Sequence, residues 1–380
     1  MRIQWIPLLF SLFFFIIACN HDQTVQITFR VIVPNANDST EVFITGNHES
    51  LGNWHPNAVE LVRNKGEKQF SVIRVFPAGV ELEYKFTRGN WSTERIEDDG
   101  SIPGNFRLKT TKDTTIVCEI NRWRDEGIKA SGQITGKVEY YPDMSFPGIL
   151  QRNVIVWLPP NYETEKRQYP VLYMHDGQNV FDPATSYLGF DWQADETADS
   201  LIRTGKMEPV IIVGIYNSDE RTADYSDTEN GRAYQKFIIE KLKPLIDKTY
   251  RTKKGPKDTA VMGSSMGGLA SFLLAWNHPE IFGKAACLSP AFIEPFEESS
   301  VKMVESSSLK PDVQFYMDNG TVGLEAKLQP GCDAMLQALH AKGYTDSVDL
   351  LWYQDQSAEH NEPAWANRLW RSFQFLFPVK

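Results

Sequence analysis

Between residues 152 and 380 the chain alternates short apolar runs with helical stretches, and this alternation limits the folds open to it. "NVIVWLPP", "PVLYMHDG", "PVIIVGIYN", "DTAVMGSS", "KAACLSPAF", "VQFYMDNG" and "VDLLWYQDQ" are strand-like, several of them apolar without a break. A strand that alternates with nothing polar is buried on both faces, which is the habit of parallel strands inside an α/β sheet. Helical stretches such as "YQKFIIEKLKPLIDKTY" and "GCDAMLQALHAKG" lie between them. The expected architecture is a doubly wound, mostly parallel sheet with helices on both sides. Residues 24–122 read differently. "VQITFRVIV", "EVFITG", "KQFSVIRVF", "VELEYKFTR" and "TTIVCEI" are rich in β-branched and aromatic residues and punctuated by Gly, Asn, Asp and Pro. That pattern predicts a smaller all-β, immunoglobulin-like sandwich ahead of the α/β domain. Residues 123–151, polar and dotted with Gly and Pro, are expected to form a linker and an edge element.

Charge and the first residues narrow the function. The 380-residue chain carries a net charge of −10, which argues against nucleic acid as its partner. "MRIQWIPLLFSLFFFIIAC" has a basic start, an apolar run and a small residue before Cys19. Residues 1–18 therefore read as a signal peptide. Ile16-Ile17-Ala18-Cys19 resembles a bacterial lipobox, so Cys19 is the expected lipidation site and the expected location is the cell envelope, anchored to a membrane. The remaining Cys118, Cys287 and Cys332 form neither a disulfide framework nor a zinc pattern.

One motif carries chemistry. In "VMGSSMGGLASFLLAWN", Ser265 stands two residues after Gly263 and two before Gly267. The string follows a strand and opens a helix, with Leu269, Phe272, Leu273 and Trp276 expected on one face. A serine on so tight a strand-to-helix turn leaves no room for flanking side chains, and the helix start directs N–H groups at it. Ser265 is the candidate nucleophile of an α/β-hydrolase.

A hydroxyl needs a base, and in this fold the acid and then the histidine follow the serine in chain order. His278 ends the helix of the nucleophile and His340 lies within a later helix, whereas His360 sits in a loop after the last strand, in "YQDQSAEHNEPAW". His360 is the expected base. Asp318 and Glu325, in "DNGTVGLEAKL", are the candidate acids; Glu325 is preferred for its reach toward the histidine loop, while Asp318 could instead cap the turn that follows it. Main-chain N–H groups of Gln178, just after Gly177, and of Met266 are the expected oxyanion donors. His175 and Asp176 have no third ligand at metal spacing, and neither metal nor cofactor is expected. Trp365, Tyr216 and Tyr225 are candidates to border the substrate cleft.

"YPVLYMHDGQNVFD", "VIIVGI", "VMGSSMGGLASF" and "HNEPAW" resemble the esterase family of α/β-hydrolases that includes feruloyl, acetyl-xylan and enterochelin esterases and mycolyltransferases. The resemblance spans about residues 150–378. It implies Ser265 as nucleophile, His360 as base and the Gln178 and Met266 amides as oxyanion donors, but leaves the acid open. "VFITGNHESLGNWHPNAVEL" and "FPAGVELEYKFTRGNWSTE" resemble a starch-binding module of carbohydrate-binding family 20, in which two tryptophans stack on sugars and a lysine binds hydroxyls. The matching residues are Trp54, Lys85 and, after a shortened loop, Trp91. The sandwich would otherwise be a spacer or lid with Trp54 in its core. The expected function is serine ester hydrolysis on acetylated or feruloylated carbohydrate. The alternatives are a siderophore esterase, an acyltransferase, and a glycan-binding lipoprotein with an inactive hydrolase domain.

Overall fold

The computed structural model describes residues 24–64, 66–97, 103–126, 133–187, 189–293 and 295–379. Residues 1–18, expected to be a signal peptide, and Cys19 lie outside the described residues. The chain divides into two compact units, one up to Ile128 and one from Lys129.

The first unit is built of strands β1 (Thr24–Ile32), β2 (Val42–Gly46), β3 (Val59–Leu61), β4 (Gln69–Pro77), β5 (Glu81–Thr87), β6 (Arg95–Ile96), β7 (Phe106–Lys109), β8 (Thr114–Glu119) and β9 (Arg122–Trp123). They form a three-stranded sheet, β4-β1-β8, and a four-stranded sheet, β3-β2-β5-β7, with a small β6-β9 pair. Alternate residues point inward: Val25, Ile27, Phe29 and Val31 of β1 meet Ile44, Leu82, Tyr84 and Phe86 of the other sheet in one core. Period-2 burial of this kind is what makes a sandwich from short strands.

The second unit has one mixed sheet. Its strands are β10 (Lys137–Phe146), β11 (Ile149–Leu158), β12 (Val171–His175), β13 (Ile211–Ile215), β14 (Thr259–Ser264), β15 (Lys284–Leu288), β16 (Gln314–Asn319) and β17 (Leu350–Gln354). They lie in the order β10-β11-β13-β12-β14-β15-β16-β17. β10, β11 and β13 pair antiparallel, and from β13 onward every pairing is parallel. The helices are α1 (Ala194–Arg203), α2 (Arg221–Asp224), α3 (Glu229–Lys236), α4 (Lys243–Thr249), α5 (Met266–Asn277), α6 (Glu297–Ser306), α7 (Leu324–Ala341) and α8 (Glu362–Leu376). Val171 and Tyr173 of β12 pack with α3, α4, α5 and α7, while Leu172 and Met174 pack with α1 and α8. Each central strand thus feeds two cores, which is why its sequence is apolar without alternation. α5 is buried on every side from Met266 to Trp276, not on one stripe.

Register fixes where the strands end. Ser264 pairs with Leu288, Leu288 with Asp318 and Asp318 with Tyr353, so β14 to β17 finish side by side. The order reverses around β12, and ligands of open α/β sheets bind beyond the carboxyl ends at such a switch point.

His175, at the end of β12, supplies a test of this packing. It is fully buried, with Nδ1 2.7 Å from the Tyr234 hydroxyl. Burial lowers its imidazole from 6.5 to about 4. The unfolded chain therefore binds a proton that the folded chain refuses as pH falls between those values. Relative to His175→Gln, the wild type is expected to lose about 3 kcal/mol more stability from pH 6.5 to 4, measured by urea unfolding across that range.

Candidate active site

Ser265 sits between β14 and α5 with φ 55° and ψ −123°, a conformation that non-glycine residues adopt only when the surroundings impose it. Its backbone is held on both sides: its N–H donates to Leu288 O (2.9 Å), and its carbonyl accepts from Leu269 (3.1 Å) and Ala291 (2.9 Å). Of the flanking glycines, Gly263 is sterically required and Gly267 sits in tight space. A β-carbon on Gly263 would lie 2.5 Å from the Gly267 carbonyl oxygen, and one on Gly267 would press on His175 and Asp176 at 3.3 Å. The Ser265 side chain is left half-buried at the sheet's edge.

His360 lies in the loop after β17. Its Nδ1 is 3.2 Å from Glu325 Oε1, and Trp365 meets its ring edge-to-face with centroids 5.0 Å apart. Glu325 is in the first turn of α7, fully buried, where it also accepts from the Ser289 hydroxyl (2.6 Å) and the Gly320 N–H (3.0 Å). Burial alone would raise its carboxyl, but the His360 contact, the Ser289 hydroxyl and the Gly320 amide hold it below the ordinary value. Of the two candidate acids, Glu325 touches the histidine. Asp318 instead faces away, with Oδ2 3.1 Å from Arg368 Nε and Oδ1 accepting from the Ser289 N–H. His360 makes no hydrogen bond to Ser265 in this structure; without substrate such bonds are commonly long and tighten on binding.

The turn after β12 carries Gln178, one of the two expected oxyanion donors. Asp176 takes a left-handed φ of 57°, and Gly177–Asn179 then form one 3₁₀ turn. Gly177 has no room for a side chain, since a β-carbon would lie 2.4 Å from the Gly214 carbonyl carbon. The amides of Gln178 and Met266 have no hydrogen-bond partner among the described residues. Asp176 locks this turn. It receives two hydrogen bonds of 2.7 Å from Arg221, one of 2.7 Å from Asn217 and a longer one from the Tyr225 hydroxyl. Burial would raise the Asp176 carboxyl, yet the Arg221 charge keeps it below its ordinary value.

The cleft aromatics divide. Tyr216 is half-buried just beyond β13, open enough to meet a ligand. Tyr225 is 1% exposed and serves Asp176, and Trp365 is 5% exposed, its indole N–H donating to Ser289 Oγ (3.0 Å). These two shape the site from behind instead of bordering it, because each spends its polar tip on a buried partner. Sequence reasoning missed Arg221, Asn217, Ser289 and Arg368. Elsewhere Asp191, Asp195 and Glu196 bring ligand atoms within 4.8 Å of one another at the start of α1. Burial, and then a hydrogen bond with Glu196, raise the Asp195 carboxyl well above its ordinary value.

In the sandwich, Trp54 and Trp91 are both half-buried, with ring centroids 6.5 Å apart and planes at 38°. Trp54 is therefore a partly exposed neighbour of Trp91 and not a core residue. Lys85 Nζ lies 2.8 Å from the buried Glu94, which also receives Arg124 at 3.3 Å.

A strained serine at a strand–helix turn, on a sheet of this order with a histidine loop after its last strand, defines an α/β-hydrolase. The family described as "Putative esterase" matches residues 150–376, more than half the chain, and the chain belongs to that family. It is a carboxylic-ester hydrolase. A "Starch binding domain" match covers residues 24–113. An endo-1,4-beta-xylanase/feruloyl esterase of Xylanibacter ruminicola is 32% identical over 158 residues, 40% of this chain and 21% of that protein. A solved ferulic acid esterase gives a TM-score of 0.54 at 22% identity, covering 64% of this chain and 99% of that one. The enterobactin esterase of Shigella flexneri, solved in the presence of enterobactin, gives 0.52 at 15% identity over 94% of both chains. At these identities the two structures establish fold.

Replacing Glu325 by Gln keeps its shape and removes its charge. The expected result is a fall in kcat of about 10²–10⁴ with KM little changed, measured on a chromogenic acetate ester.

Proposed function

We propose that the protein cleaves acetyl or feruloyl esters carried on carbohydrate, through an acyl-enzyme on Ser265. Ser265 Oγ attacks the ester carbonyl as His360 Nε2 takes its proton, and Glu325 holds the imidazole through Nδ1. The Gln178 and Met266 amides stabilise the oxyanion. The C–O bond to the sugar then breaks, and the leaving alkoxide takes the proton from His360. Water, deprotonated by the same histidine, attacks the acyl carbonyl, releasing the acid and restoring the serine. The observation that carries this reading is the Glu325–His360 contact of 3.2 Å, in a loop beyond the same sheet edge that holds Ser265 in its strained turn.

The substrate class is supported by the feruloyl-esterase relative and by the starch-binding match. The Trp54 and Trp91 rings suit the apolar faces of glucose units, and the N-terminal domain is proposed to bind glucan through them. Cys19 is proposed to carry a lipid that anchors the protein in the cell envelope.

Turnover of acetylated and feruloylated oligosaccharides should exceed that of a catechol trilactone, and Ser265→Ala should lower kcat by about four to six orders of magnitude. Preference for the trilactone would move the substrate class, and turnover independent of Ser265 would remove the mechanism. Trp54→Ala should release the protein from insoluble starch without changing hydrolysis of a soluble ester; retention on starch would contradict the glucan reading. Palmitate labelling in cells should be lost in Cys19→Ser, and labelling that survives would exclude the anchor.

A further inference from the structure

The site contains a buried carboxylate in excess of what the mechanism uses. Asp318 and Glu325 are both fully buried, and both reach Ser289: Asp318 through its N–H, Glu325 through its hydroxyl. Two carboxylates around one residue compete for protons, since burial and mutual repulsion both favour the neutral acid. One guanidinium stands between them. Arg368, 2% exposed on the inner face of α8, places Nε 3.1 Å from Asp318 Oδ2 and Nη2 3.8 Å from Glu325 Oε1. The same Nη2 donates to Ser289 Oγ at 2.7 Å, and the Trp365 indole donates to that oxygen at 3.0 Å. With both lone-pair sides of Ser289 Oγ filled by donors, its own proton is committed to Glu325.

We propose that Arg368 is a positioning residue for the esterase reaction: it pairs with Asp318 and orients the Ser289 hydroxyl, so that Glu325 stays ionised against His360. The inference rests on Ser265, His360 and Glu325 acting as proposed above, and it deepens that reading. Arg368, 2% exposed, makes no hydrogen bond to His360 among the described residues; it acts through Ser289 and the two carboxylates. Its separation from both is that of an ion pair, and its planar fork is the group that can serve three partners at once.

The titratable and charged groups around Glu325 and Asp318 are few. From β16 come Asp318 itself and Tyr316, whose hydroxyl donates to Asp318 Oδ2 at 3.1 Å. Cys287 of β15 is a buried thiol on the opposite face of the sheet, near enough to Asp318 for a charge interaction. From the histidine loop comes His360, and from α8 Arg368. Among the described residues, Arg368 is thus the permanent cation in direct contact with the pair. Burial already raises the Asp318 carboxyl above its ordinary value with Arg368 in place. Without that charge, burial and mutual repulsion favour a proton held between the two acids, and whenever it rests on Glu325 the histidine loses its ionised partner. The sign follows: activity needs Glu325 deprotonated, so removing Arg368 moves the acid limb of the pH–rate profile upward.

The test is the pH profile of kcat/KM for a soluble acetate ester with wild type, Arg368→Gln, Arg368→Lys and Arg368→Gln/Asp318→Asn. Arg368→Gln is expected to shift the acid limb up by about one pH unit or more and to lower kcat at pH 6 by about tenfold or more. Arg368→Lys, which keeps the charge, should leave the limb near that of the wild type even if its melting temperature falls. The double variant should return the limb most of the way, because the competing carboxylate is gone. A limb unmoved in Arg368→Gln, or equally displaced in the lysine or double variant, overturns the proposal and assigns Arg368 to packing. If Arg368→Gln does not fold, the lysine and double variants decide on the same criterion. Ser265→Ala run alongside separates the two levels: turnover independent of Ser265 removes the parent mechanism, whereas Ser265-dependent turnover with an unmoved limb removes the role of Arg368 alone.

Discussion

The contact between Gly263 and Gly267 is the constraint on which the site depends. β14 and α5 meet so closely that a single β-carbon would strike a carbonyl oxygen. That closeness forces Ser265 into a left-handed turn, at a cost of about 1–3 kcal/mol. The cost is met by the backbone bonds that tie Ser265 to Leu288, Leu269 and Ala291, and by the burial of α5 on all its faces. The same geometry leaves the first amide of the helix unpaired beside the hydroxyl. The positions of the proposed nucleophile and of one proposed oxyanion donor therefore follow from one backbone event.

Charge is arranged with the same economy. Asp176 is matched to Arg221 under the oxyanion turn, Asp318 to Arg368 behind the acid, and Glu325 to His360. Buried ion pairs add little net stability, because desolvation offsets most of their attraction. Their value here is geometric. Each carboxylate has a fixed direction: Asp176 holds the turn that presents the Gln178 amide, and Glu325 holds the imidazole.

Much of this was legible in the sequence. Ser265, Gly263 and Gly267 form a local motif whose meaning depends on three residues and two neighbouring elements. The unbroken apolar strands announced two packed faces, and His360 followed from chain order. What could not be read were pairings set by tertiary folding. Glu325 was preferred to Asp318 on reach alone; what fixes its place is α7 starting at Leu324, so that Glu325 enters the first turn, and the periodicity of "GCDAMLQALHAKG" marks only the later part of that helix. Tyr225 and Trp365 looked like cleft aromatics because a sequence cannot say which side of a helix or of its cap faces solvent. Arg368 did leave a trace. It shares the inner face of α8 with Trp365, Leu369 and Ser372, and a charged residue on a helix's buried face calls for a buried partner.

The central claim is that Ser265 and His360 work as one catalytic unit across nearly the full width between β14 and the loop after β17. Kinetics of Ser265→Ala, His360→Ala and the double variant on one soluble ester test it directly. Residues that act as a unit lose nearly everything at the first removal, so the double variant is expected to be no slower than the worse single variant. Losses that multiply would show two independent contributions and contradict the account.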